Sequence, residues 1–164
     1  MRLGVIADTH GHLRPEVFEA FAQVDHILHA GDIGPLAVLE RIGTIAPVTA
    51  VYGNADGMDI RVRCPKVAAV ELDGFRIVVT HGDQLGVPTP ELLQAEFPEA
   101  EIIVYGHTHR PLLTIVDVVV TVMNPGAAGT RTKDGLPPSV GIMELEPGIP
   151  PRARLVPLLP AGEE

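Results

Sequence analysis

Short apolar runs, each closed by a polar cluster, set the rhythm of this chain. Residues 3–7 are apolar and read as a buried strand, while 15–22 carry Val17, Phe18 and Phe21 at helical spacing on one face. Strand character returns at 25–29. Residues 35–45 read as a second helix opened by Pro35, with Leu36, Leu39 and Ile42 facing inward. A third strand follows at 48–51. This alternation predicts βαβ units with right-handed crossovers and a largely parallel sheet.

The pattern then changes. Residues 53–65 have no periodicity and read as a loop. Strands at 67–72 and 75–80 flank Asp73-Gly74, a strong hairpin signal. A helix at 89–97 is opened by Thr89-Pro90 and closed by Pro98, and 102–105 is again a strand. Strands at 112–116, 118–123, 140–144 and 153–157 are expected to be mostly antiparallel. Residues 118–122 are apolar on both faces, which fits a core strand or an interface strand. The expected architecture is one domain over 1–164, two sheets with helices outside, and a frayed tail at 158–164.

Composition narrows the class. Of 164 residues, 46% are hydrophobic and 20% charged, as in a globular protein. Apolar runs of about six residues fall far below the roughly 18 that span a bilayer. No signal architecture precedes the first strand, and the single Cys64 excludes an internal disulfide framework, so a cytoplasmic protein is expected. A net charge of −9 argues against an extended nucleic-acid footprint. A local basic rim built from Arg61, Arg63, Arg110, Arg131 and Lys133 would still suit a phosphate ester.

The chemistry lies in the clusters that end the apolar runs. They are Asp8-Thr9-His10, Gly31-Asp32, Gly53-Asn54, His81 and Gly106-His107-Thr108-His109. Carboxylates, imidazoles and an amide oxygen are ligands for divalent transition metals, and strands of an α/β sheet would deliver them to one edge. Asp8 and His10 stand two apart, so an extended backbone would project both to one face; His107 and His109 repeat the spacing. Taken singly, Asp8 or Asp32 is an ordinary helix cap and Asn54 an ordinary turn residue. Taken together, Asp8, His10, Asp32, Asn54, His81, His107 and His109 suffice for two ions sharing a carboxylate. Such ions clamp the attacking and leaving oxygens of an in-line displacement at phosphorus. His12, His26 and Cys64 stay outside this set, and His29 reads as a core or supporting residue. Ser139 lacks a nucleophile elbow, and no phosphate-binding glycine loop follows the first strand.

In order and over nearly its whole length, the chain resembles the calcineurin-like metallophosphoesterases. The motifs are Asp8-x-His10, Gly31-Asp32, Gly53-Asn54, Thr80-His81-Gly82 and Gly106-His107-x-His109, and Asn124-Pro125-Gly126 is similar to the small YfcE-type phosphodiesterase branch. The resemblance implies a four-layer αββα sandwich of two mixed β-sheets with a dinuclear site at the sheet edges. It assigns Asp8, His10, Asp32 and His109 to one ion. Asp32, Asn54, His81 and His107 go to the other, with Asp32 bridging. Asp32, Asn54 and His107 are the residues expected to carry catalysis. Mn²⁺ is the expected metal, with Ni, Zn, Fe or Co as alternatives.

Three positions depart from the family pattern. Ala55 stands where many members have a leaving-group histidine and the YfcE-type branch has cysteine, Asp83 where a second histidine is common, and Ala127 where serine often follows Asn-Pro-Gly. The expectation is therefore a phosphodiesterase acting on a small phosphoester through metal-activated hydroxide. A phosphomonoesterase is the alternative within that chemistry. A non-catalytic interaction module, like the retromer subunit of the same fold, is the alternative outside it. The resemblance also suggests a homo-oligomer.

Overall fold

A computed structural model describes residues 1–130, 132 and 134–160. Its described part holds two five-stranded sheets. The first joins β1 (Arg2–Ile6), β2 (His26–His29), β3 (Val48–Ala50), β9 (Ser139–Glu146) and β10 (Ile149–Pro157) in the order β10-β9-β1-β2-β3. The second joins β4 (Val67–Leu72), β5 (Phe75–Thr80), β6 (Ile102–Val104), β7 (Leu112–Val116) and β8 (Val120–Asn124) in the order β4-β5-β6-β8-β7. Both are mixed. In the first, β1-β2-β3 are parallel out to the β3 edge, and β9 and β10 add antiparallel pairs on the other side; in the second, the central β5-β6-β8 are parallel and the edge strands β4 and β7 pair antiparallel.

The central strands are buried on both faces, as the inner layers of a four-layer sandwich require. Leu3, Val5 and Ala7 of the first sheet meet Ile77, Val79, Ile102 and Val104 of the second in the core between them. The other face of the first sheet, through Ile6 and Ile27, packs on Val17 of α1 (Pro15–Ala20), on Phe21 that caps its end, and on Ile42 of α2 (Ala37–Ile42). The outer face of the second, through Val78, Ile103 and Val122, packs on Leu93 of α4 (Pro90–Glu96). This is the αββα sandwich expected. Phe21 is fully buried and lies where a Cβ at Gly4 would sit. Burying that ring contributes about 2–3 kcal/mol.

Several boundaries differ. The span 53–65 is not all loop: Met58–Arg61 forms α3, which buries Ile60 beside Ile33, Val38 and Cys64. One turn is too short to show periodicity. Helix α2 begins two residues after Pro35, and 43–45 form a turn. Val118 and Val119 are not strand residues; they are 90% and 73% exposed in the β7–β8 turn. Leu158, expected in a frayed tail, is buried and donates its N–H to the Pro138 carbonyl at 2.7 Å. Positions 161–164 of that tail lie outside the described residues, as do Arg131 and Lys133. No described helix is long and apolar enough to cross a membrane.

Candidate metal centre

The chain leaves β1, β2, β3, β5 and β6 at their carboxyl ends, and each exit carries one of the five polar clusters. Side chains of Asp8, His10 and His109 bring their ligand atoms within 4.8 Å of one another, and so do those of Asp8, Asp32 and His81. Asp8 belongs to both groups. Its Oδ1 is 3.3 Å from His109 Nε2 and 3.8 Å from His10 Nε2. Asp32 Oδ2 lies 3.2 Å from His81 Nε2 and 3.7 Å from His10 Nε2. Both carboxylates thus stand between the imidazole pairs. Asn54 Oδ1 reaches His81 Nε2 at 3.0 Å. His107 joins neither compact group; its ring stands 5.1 Å from that of His81, and its N–H donates to Asp8 Oδ2 at 3.1 Å.

The backbone achieves this differently from the pleat argument. Asp8, His10, Asp32, His107 and His109 all have left-handed φ, from 46° to 70°, and lie beyond the strand ends. The side chains of Asp8 and His10 converge with both residues left-handed, while Thr9 between them turns inward; His109 joins them, and His107, equally left-handed, stands by His81 instead. Such conformations cost energy in non-glycine residues and persist where surroundings enforce them. Here packed glycines do so. A Cβ at Gly53 would collide with the Asp32 carboxylate, and one at Gly106 would lie 2.9 Å from Asp8 Oδ2.

Electrostatics follow from burial and crowding. Burial pulls His81 down, but the Asp32 hydrogen bond, the Asp8 and Asp32 charges and the Ala30 carbonyl outweigh it and raise its pKa to about 9. His81 Nδ1 donates to the Ala30 carbonyl at 2.8 Å, so Nε2 is the nitrogen turned to Asp32 and Asn54. The Asp8 carboxylate raises His109. Burial pushes Asp32 up, yet His81 and the Ala55 N–H hold its carboxyl below its usual value. Asp8 Oδ1 is buried and has no aligned hydrogen-bond donor. An orphaned, buried carboxylate oxygen ringed by imidazoles fits a divalent cation.

Comparison with known proteins gives the family. Residues 1–148 match the calcineurin-like phosphoesterase superfamily domain. The chain belongs to that superfamily. A probable metallophosphoesterase of Methanothermobacter thermautotrophicus is 32% identical over 154 residues, covering 89% of this chain and 87% of that protein. An archaeal phosphodiesterase of known structure is 29% identical with a TM-score of 0.73, covering 95% of this chain and all of that one. Vps29 of Entamoeba histolytica, solved with zinc, has a TM-score of 0.75 at 22% identity, over 97% and 100% of the two chains. At that identity the likeness is one of fold.

Within this calcineurin-like frame, residues left aside by the spacing argument brace the centre. Asp56 is buried, and its carboxylate accepts N–H bonds from Ile33, Gly34 and Gly53 at 2.8–3.0 Å, tying the Asp32 loop to the Asn54 loop. Asn124 Nδ2 donates to the Gly106 carbonyl and to Thr108 Oγ1, both at 2.9 Å. Its place in Asn124-Pro125-Gly126 was the available signal. His29 is a buried brace, as expected: Gly31 N–H donates to its Nδ1, and its Nε2 donates to Thr9 Oγ1, which donates to the Ile33 carbonyl. Burial pushes His29 down to about 3. Cys64 is buried and away from these groups, and His26 pairs with Thr49.

Proposed function

We propose that the chain is a dinuclear-metal-dependent phosphodiesterase. The observation that carries this reading is Asp8 Oδ1, buried and without a donor where two ligand groups meet. In it Asp8, His10, Asp32 and His109 hold one ion, and Asp32, Asn54, His81 and His107 hold the other. Two such ions supply an acidified water and neutralise charge on the phosphoryl group. The protein's own part is orientation: Ala30 aims His81, whose Nε2 meets Asn54 Oδ1 at 3.0 Å, and the Ala55 N–H steers Asp32 at 2.9 Å. The mixed donors suit Mn²⁺, with Ni, Zn, Fe or Co as alternatives. The diester preference draws on the archaeal phosphodiesterase. Ala55 offers no imidazole, so good leaving groups or a proton from water serve the leaving oxygen.

The fold likeness to Vps29 favours a second reading, an interaction module. One such protein is described as a zinc complex, so metal binding alone does not separate the two. Turnover does. Chelator-stripped protein is assayed on bis-p-nitrophenyl phosphate with and without Mn²⁺, beside Asp32→Asn. Hydrolysis that requires Mn²⁺ and drops more than about a hundredfold in the variant is expected. Two bound metals without hydrolysis would move the assignment to the interaction module.

A further inference from the structure

A groove of about 700 Å³ adjoins the centre, with His107 and His109 in its lining. That volume is in the range that houses an organic ligand of drug size, well beyond a lone phosphate. Its walls are apolar and stiff: Pro88, Pro90, Pro111, Leu112 and Tyr105 contribute, and each proline has a fixed φ. Such walls suit a flat organic group attached to the phosphorus that the centre holds.

Arg110 follows His109 directly and is the one permanently charged cation among the described residues of this lining. Its Nε lies 2.9 Å from Asp134 Oδ2, and the two side chains are 68% and 50% exposed. An ion pair so open to water is weak and changes partner readily. A phosphate accepts two parallel N–H bonds from a guanidinium and binds it more strongly than a single exposed contact does.

Resting on the phosphodiesterase reading of the adjoining centre, we propose that this groove receives a nucleoside-sized arm of the substrate. Arg110 selects arms that carry a second anionic group, such as a second phosphate. The substrates preferred are thus phosphodiesters with further negative charge beyond the scissile bond. Asp134 holds the guanidinium over the groove until that group replaces it.

Binding tests this without relying on turnover. Mn²⁺-loaded protein is titrated calorimetrically with thymidine 3′,5′-bisphosphate and with thymidine 5′-monophosphate, which differ by one phosphate. The bisphosphate is expected to bind about tenfold tighter or more. Arg110→Ala brings the ratio close to one, and Arg110→Lys, which keeps the charge and loses the fork, recovers only part of it. A circular-dichroism melt verifies that these variants at an exposed position are folded. Equal affinities in the parent protein, or an unchanged ratio in Arg110→Ala, overturn the assignment. Hydrolysis of bis-p-nitrophenyl phosphate is followed in parallel. An Arg110-dependent preference without hydrolysis would refute the phosphodiesterase reading and leave the anion subsite standing.

Discussion

The two ends of the sandwich use the same uncommon backbone conformation for opposite purposes. Because β8 runs parallel to β6 and β9 antiparallel to β1, the β4–β5, β7–β8 and β9–β10 turns all lie at the end away from the candidate metal centre. There, left-handed φ at Asp73, Gly74, Asp117, Val118 and Gly148 reverses the chain into open space. Nothing stands within 4 Å of a Cβ built at Gly74 or Gly148. At the other end the left-handed residues other than glycine are the candidate ligands themselves, crowded by Gly53 and Gly106, where an added Cβ would displace a carboxylate. The conformation is cheap where it makes a turn, and it is held by packing where it aims a ligand.

Exchanging glycines between these roles breaks the comparison most sharply. Gly53→Ala puts a methyl group on the Asp32 carboxylate, and Mn²⁺-dependent turnover is expected to fall about a hundredfold or more, with a stability cost of ~1–3 kcal/mol. Gly74→Ala meets no atom and only strains φ, so it costs ~1 kcal/mol and leaves turnover intact. Paired kinetics and chemical denaturation decide; similar turnover losses in both variants would end the distinction.

Protonation sharpens it next, because the two most strongly shifted histidines, His29 and His81, belong to the crowded end. The unfolded chain protonates His29 near 6.5, whereas burial keeps it neutral in the folded protein down to about 3. Stability therefore falls as pH drops below 6.5, by ~1.4 kcal/mol per unit and ~2 kcal/mol by pH 5. His81 has the opposite sign. The metal-free folded protein keeps its proton up to about 9, so that contribution is lost as pH rises from 6.5 toward 9. Guanidinium denaturation of chelator-treated protein should show a maximum near pH 6.5, and His29→Gln should flatten the acid limb. An acid limb of unchanged slope in that variant contradicts the assignment.

The smallest effect belongs to the open end. Val118 is a β-branched residue at φ 70° with 90% of its surface exposed. Val118→Gly should raise stability by about 1 kcal/mol, because relief of strain exceeds the entropy that glycine adds to the unfolded chain. Thermal melts check this, and a lower midpoint would mean that Val118 is held by contacts rather than strained.

That residue also shows where sequence reading fell short. Asp73-Gly74 announced its hairpin because glycine reaches positive φ freely. Asp117-Val118 did not, since valine avoids that region, and pairing of β7 with β8 imposes it. The helix at Met58–Arg61 was hidden because it is one turn long and stabilised by Ile60 in a distant core. Asp56 has no spacing of its own that marks it as a brace; its role rests on three N–H donors, two from the Asp32 loop, that only the fold brings together.

Periodicity and residue type by themselves determined the order of the strands and of the longer helices, and the placing of Asp8, His10, Asp32, Asn54, His81, His107 and His109 after apolar runs; the order of those motifs carried the resemblance to the family. These are local properties, written within a few residues of each position. Tertiary structure alone decided the left-handed aim of five of those residues and the meeting of both ligand groups at Asp8. It also made His29 a neutral brace and placed Arg110 over an apolar groove. Each depends on what packs against a residue from elsewhere in the chain, and packing between distant segments has no local signature.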